Sequence, residues 1–232
     1  MQTFIREESP APGVARIVLD RADKRNAQNS ALLYELDAAF SRATADDEVK
    51  VVVITGAGRA FSAGQDLAEL ARIASGESYE SGFPALLDAL GAFDKPLIAA
   101  VNGVAVGIGF TMLAHCDLVF VAEGARMRTP FGELGVPPEA ASSWLFPQRV
   151  GWQRAAHILM ANAWVSSEQA VEYGIALERV PDDERTCYLV ASNSALIAAE
   201  KASGYGGSAD AKRPPNMKVS NTPFQRSNQT RA

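Results

Sequence analysis

The feature that most constrains this chain is the apolar run in VKVVVIT (Val49–Thr55), bounded by Asp46–Asp47 and by Gly56 and Gly58. A strand with one wet face alternates apolar and polar residues. A run without alternation has to be covered on both faces, which is the condition of a parallel sheet flanked by helices. LIAAVNG (residues 97–103) and DLVFVA (Asp117–Ala122) repeat the pattern, and a shorter strand is predicted at Val14–Leu19, after the breakers Pro10, Pro12 and Gly13. Helices are predicted between them. SALLYELDAAF places Leu32, Leu33, Leu36, Ala39 and Phe40 on one stripe, with Ser30 or Asn29 as its cap. Further helices follow from Asp66, in PALLDALGAF before Lys95–Pro96, and over Gly107–His115. The alternation predicts an α/β architecture with short crossovers.

Beyond these units, Glu139–Val150 reads as a helix that bends or ends at Pro147. WQRAAHILMANA and SSEQAVEY read as two more, the second closing at Gly174. The character changes at Lys201, and from there on six basic residues stand against one acid among Gly, Ser, Asn, Pro and Gln. The expected division is a core over 1–184, a closing helix over 185–203 and a polar, disordered tail over 204–232.

Bulk properties exclude several functions. A net charge of -5 and a pI near 5.2 argue against a nucleic-acid or anionic-membrane binder. No run of about 18 apolar residues offers a membrane span. Cys116 and Cys187 cannot form a disulfide framework and suit a reducing compartment. With no secretory pattern at the start and Gln-Thr-Arg-Ala at the end, the expected location is cytoplasmic. No metal-ligand spacing is present.

Two stretches carry candidate chemistry: ITGAGRAFSAGQDL (Ile54–Leu67) and AAVNGVAVGIGFTML (Ala100–Leu113). Each ends a buried strand, turns on glycine and enters a helix, where first-turn N–H groups have no intrahelical acceptor. Small residues at Ala63, Gly64, Gly107 and Gly109 let a ligand approach the backbone. Glycines that serve only turns and helix–strand packing would give the same spacing.

FSAGQDL and AVNGVAVGIGF together resemble the crotonase (enoyl-CoA hydratase/isomerase) superfamily. DRADKRNAQNSALLYEL, TPFGELGVPPEAASSWLFPQRVG and SSEQAVEYGIALERVP resemble further blocks of it, in order, over about residues 10 to 182. The resemblance implies a spiral of ββα units acting on an acyl-CoA thioester, with coenzyme A as part of the substrate and no separate cofactor. It implies a homotrimer or a dimer of trimers. It assigns the two N–H donors of an oxyanion hole to Gln65 and Ile108. Ala63, Gly64, Asp66 and Gly107 then line the substrate, and Lys24 and Arg25 stand where family members contact coenzyme A. A solvated loop is the other reading of those two cations. The C-terminal region departs from the family's closing amphipathic helices.

The carboxylates discriminate among reactions. Similar hydratases place one glutamate three residues after the middle glycine and another just after a proline. Here those places hold Thr111 and Phe131, expected to contact substrate rather than to move protons. Glu139, in PPEAASS, resembles the base of Δ3,Δ2-enoyl-CoA isomerases; its other reading is a first-turn acid on a helix dipole. Glu133 is a second acid in the same block. His115 and His157 read as packed or partly exposed residues rather than catalytic ones, and Cys116 as a buried, inert thiol. The resemblance therefore points to an enoyl-CoA isomerase with Glu139 as its single base. A hydratase-like activity and a non-catalytic acyl-CoA-binding homologue are the alternatives.

Overall fold

The computed structural model describes residues 3–77, 80–182 and 195. The chain opens with β1 (Ile5–Ala11) and β2 (Val14–Leu19), then α1 (Ser30–Ala45), β3 (Val51–Gly56), β4 (Ala60–Ser62) and α2 (Leu67–Ala74). The second round is α3 (Phe83–Ala92), β5 (Leu97–Val101), β6 (Val104–Val106) and α4 (Ile108–Thr111). The third is β7 (Leu118–Ala122), β8 (Arg126–Arg128), α5 (Phe131–Leu134), α6 (Ser142–Val150) and α7 (Trp152–Met160). β9 (Val165–Ser166), α8 (Ser167–Glu172) and β10 (Glu178–Val180) complete the described elements.

Consecutive strands part into two sheets. One runs β1-β2-β3-β5-β7-β10, the other β4-β6-β8-β9. β3, β5 and β7 each hand the chain to a three-residue strand in the second sheet, and a helix follows from there. β2, β3, β5, β7 and β10 are mutually parallel, and among the described residues only β1 runs against its neighbour in the first sheet. The expected burial on both faces is observed. Val52, Ile54, Ala99, Val101, Val119 and Val121 join the larger core with α1 and α3. Val51, Val53, Ile98, Ala100 and Phe120 form a second cluster on the opposite face.

Several elements differ from the sequence-based expectation. An additional strand, β1, precedes the expected one and runs through Pro10, because Pro12-Gly13 is a hairpin turn (Gly13 φ 77°) and Pro10 is tolerated on an edge strand where the pairing with β2 is interrupted. β4, β6 and β8 are too short to give a periodic signal. The helix expected over Gly107–His115 is α only to Thr111 and 3-10 over Met112–His115. α6 starts at Ser142 instead of Glu139, because Ala140 and Ala141 take positive φ and break any earlier helix. Pro147 lies inside α6, which continues to Val150. The α1 cap is Asn29, whose side chain accepts from the Leu32 N–H at 3.0 Å. The expected closing helix over 185–203 and the tail lie outside the described residues, apart from Ala195, which is helical and buried in the second cluster.

Phe40 of α1 is buried, with its ring 5.1 Å from that of Phe93, where α3 meets the sheet. Phe40→Ala should destabilise the protein by about 3–5 kcal/mol through lost burial and an unfilled cavity. Denaturant unfolding checks this, and a loss below about 1 kcal/mol would mean that α1 is not packed as described.

Candidate active site

The site begins in the loop after β2. Asn26 is fully buried, with a backbone in the left-handed region (φ 55°). Its side chain accepts from the Arg21 N–H and donates to the carbonyls of Ala57 and Ala60 at 2.9 and 2.8 Å. Ser62 extends the fastening by donating to the Asn26 carbonyl while accepting from the Gly64 N–H. The Ala63 N–H donates to the Arg25 carbonyl, the Gln28 N–H to Gly64, and the Asp66 N–H to Gln28. Three amides of the stretch 63–66 are thereby taken. The Gln65 N–H is left without an acceptor among the described residues.

The second loop leaves a matching group. Gly107 sits at φ 53°, ψ -125°, a conformation open to glycine, and its carbonyl accepts from the Phe110 and Thr111 N–H groups. Ile108 is the first residue of α4, and its N–H has no acceptor among the described residues. The special backbone geometry therefore falls on Gly107, and Ile108 itself is an ordinary helical residue. The two loops touch at their glycines. A Cβ on Gly64 (φ 86°) would lie 2.6 Å from the Val106 carbonyl oxygen, and one on Gly109 would lie 2.7 Å from that of Ser62. Gln65 and Ile108 face one cavity of about 650 Å3.

Glu139 lines the same cavity. It precedes α6 by three residues, and its own carbonyl accepts from both the N–H and the hydroxyl of Ser142, at 2.9 and 2.6 Å. His115 Nε2 lies 2.9 Å from the Ala140 carbonyl oxygen and donates to it. These bonds hold Ala140 and Ala141 at φ 51° and 52°, a region costing an L-residue roughly 1–2 kcal/mol. Burial pushes the Glu139 carboxyl up to about 7, against a hydrogen bond that the Thr111 hydroxyl donates to Oε1 at 2.6 Å. Oε2 has no partner among the described residues and is not a buried atom, so it stays open to the cavity.

The other carboxylate on the wall is differently placed. Burial acts to raise Asp66, but the Arg21 guanidinium at 2.6 Å and the Ala68 amide prevail and hold it below its ordinary value. Asp66 is thus the cap of α2 and the partner of Arg21, a fastening for the Gln65 turn. Lys24, Ala63, Gly64, Asp66, Gly107 and Phe131 line the cavity. Arg25 and Thr111 do not. Arg25 is exposed at φ 51° and serves the site through its carbonyl, while Thr111 is buried behind Glu139. Glu133 is exposed and paired with Arg128, His157 is exposed, and Cys116 is buried. Asn26, Arg21 and Ser62 were missed as positioning residues. The first two lie in the DRADKRN block, the one sequence signal that could have found them.

The enoyl-CoA hydratase/isomerase family model matches residues 10–204. The chain belongs to this family, the crotonase superfamily, and has its fold. A protein of Rhodobacter capsulatus described as a probable enoyl-CoA hydratase is 35% identical over 206 residues, 84% of this chain and 79% of the relative. Enoyl-CoA delta isomerase 2 of Rattus norvegicus is 35% identical over 175 residues, covering 73% of this chain but only 44% of that protein. The crystal structure of an enoyl-CoA hydratase from Mycobacterium marinum superposes with a TM-score of 0.78 at 42% identity, covering 85% of this chain and 92% of the other. Hydratases and isomerases thus stand side by side among the relatives. Among the described residues no helix is long and apolar enough to cross a membrane.

The Glu139 environment sets a pH dependence of stability. The folded carboxyl keeps its proton to about pH 7, whereas the unfolded one loses it near 4.5. Full stability is therefore present below about 4.5 and is lost as pH rises to about 7, by on the order of 3 kcal/mol. Glutamine at this position carries no charge. The melting temperature of Glu139→Gln should match the wild type near pH 4.5 and exceed it increasingly up to pH 8. A difference independent of pH would show that the carboxylate is not held away from water.

Proposed function

We propose that this protein is an enoyl-CoA isomerase that moves a 3-enoyl-CoA double bond to the 2-position, with Glu139 as its single base. The observation that carries the reading is the split between the two carboxylates on the cavity wall. Asp66 is committed to Arg21 and to the cap of α2, whereas Glu139 has an open oxygen and a pKa near 7. A group poised near neutral pH both takes and returns a proton efficiently.

The chemistry balances on one carboxylate. Glu139 takes a proton from C2, and the C–H electron pair spreads over C2–C4 and the thioester oxygen as a dienolate. The Gln65 and Ile108 N–H groups offer two donors to that oxygen, and losing one such donor typically costs about 100- to 1,000-fold in rate. Glu139 then delivers the proton to C4, the double bond settles between C2 and C3 in conjugation with the thioester, and no water enters. Hydration would need a second acid–base group to hold and split water. The positions that carry such groups in similar hydratases are Thr111, already bonded to Glu139, and the apolar ring of Phe131. Lys24 is the cation on the wall and suits the coenzyme A phosphates. Leu67, Leu70, Phe83, Leu134 and Val136 offer an apolar wall to the acyl chain. Trp144 and Trp152, 62% and 75% exposed, support assembly with further copies.

Purified protein is assayed with a 3-enoyl-CoA and, separately, a 2-enoyl-CoA. Isomerisation should be robust and hydration very weak; comparable rates would overturn the assignment of roles. Glu139→Gln should lower isomerase turnover about 100- to 10,000-fold while acyl-CoA binding persists. Near-normal turnover in that variant would mean that another group is the base, and no turnover in the wild type would favour a binding protein.

A further inference from the structure

We propose that Thr111 is a positioning residue that holds Oε1 of Glu139 throughout the reaction, so that Oε2 alone takes the proton from C2 and returns it at C4. The proposal rests on the isomerase reading above and names a contact which that reading does not need. Thr111 is the last residue of α4, and none of its surface is exposed. Its N–H donates to the Gly107 carbonyl at 2.9 Å, which ties its Cα to the loop that presents the Ile108 amide. Its hydroxyl oxygen lies 2.6 Å from Oε1 of Glu139 and 3.3 Å from the Gly107 carbonyl oxygen. A hydroxyl has one proton to donate, and the short, charge-assisted contact takes it; the longer one is a weaker competitor.

The consequence follows from what a one-base shuttle requires. The same carboxyl must face C2 and then C4 without losing its proton to water or turning it away. A terminal carboxyl torsion is soft, so a glutamate with two free oxygens rotates easily. Here Oε1 is engaged and Oε2 is open to the cavity. When Oε2 gains the proton, Oε1 is the carbonyl oxygen of a neutral acid and still accepts from Thr111, so the anchor survives the protonation change. A second carboxylate at 111 would instead repel Glu139 and raise its pKa further. Removing the Thr111 hydroxyl leaves burial unopposed, so the base needs a higher pH to ionise.

The test is the pair Thr111→Val, which keeps shape and loses the hydroxyl, and Thr111→Ser, which keeps the hydroxyl. Thr111→Val should lower kcat about 10- to 100-fold with KM nearly unchanged, because the side chain lies behind Glu139 and off the cavity wall. The acid limb of its kcat/KM profile should move to higher pH. In D2O it should transfer less of the C2 hydrogen to C4. Thr111→Ser should restore all three properties. A wild-type pH limb and isotope transfer in Thr111→Val, or failure of Thr111→Ser to differ from it, would overturn the proposal. Melting temperatures monitor folding, and Thr111→Ala replaces Thr111→Val should the latter not fold. Glu139→Gln separates the two ideas: an inactive Glu139→Gln beside an unaffected Thr111→Val defeats the anchor alone, and an active Glu139→Gln defeats the base itself.

Discussion

The site depends on the contact between two loops at Gly64 and Gly107. With the position of a Cβ on Gly64 only 2.6 Å from the Val106 carbonyl oxygen, no side chain fits there without moving backbone. That closeness is set by the parallel pairing of β4 with β6, whose strands run into the two turns. The amides of Ala63, Gly64 and Asp66 bond to Arg25, Ser62 and Gln28, and that of Gly107 to Arg128, whereas the Gln65 and Ile108 N–H groups have no acceptor among the described residues. Two unpaired N–H groups facing one cavity would be a liability in a closed core. On the wall of a cavity they remain within reach of water or a bound group.

The polar fastening around these turns is dense because the turns themselves contain little apolar surface. Asn26 ties the loop before α1 to Ala57 and Ala60, and Ser62 ties the same loop to Gly64. The Arg21–Asp66 pair then fixes the start of α2, which buries no residue of its own. That pair is largely shielded from water and hydrogen-bonded, and its main effect is to choose a position for the turn. The Asp66 charge is consumed in doing so, whereas Glu139 on the same cavity wall keeps one oxygen without a partner among the described residues.

Glu139 is held by opposed effects. Burial raises its proton affinity, the Thr111 hydroxyl lowers it, and the balance falls near neutral pH. Its orientation is fixed by strained backbone: two alanines in the left-handed region, secured by His115 and Ser142. Positive φ at non-glycine residues is sustained only where surrounding bonds over-determine it, and here it lies beside the Glu139 carboxylate.

The sequence determined the long elements. The continuous runs of β3, β5 and β7 could be covered only in a parallel sheet, and the stripe of α1 had to face it, because these signals come from burial repeated over many residues. It also named Gln65, Ile108 and Glu139, since ordered motifs resembling a known family carry those positions. What only the tertiary structure decided is which groups meet. β4, β6 and β8 contain three residues each, too few for any period, yet their pairing brings the two turns together. Nothing in the spacing of Thr111 and Glu139, 28 residues apart, announces a 2.6 Å contact. The resemblance marks Arg25 and Asp66 as binding groups, but that the Arg25 carbonyl holds the Ala63 amide and the Asp66 carboxylate holds Arg21 comes from long-range hydrogen bonds no local pattern announces. Local pattern specifies which face of an element is buried, whereas a hydrogen bond between distant segments depends on the path of the whole chain.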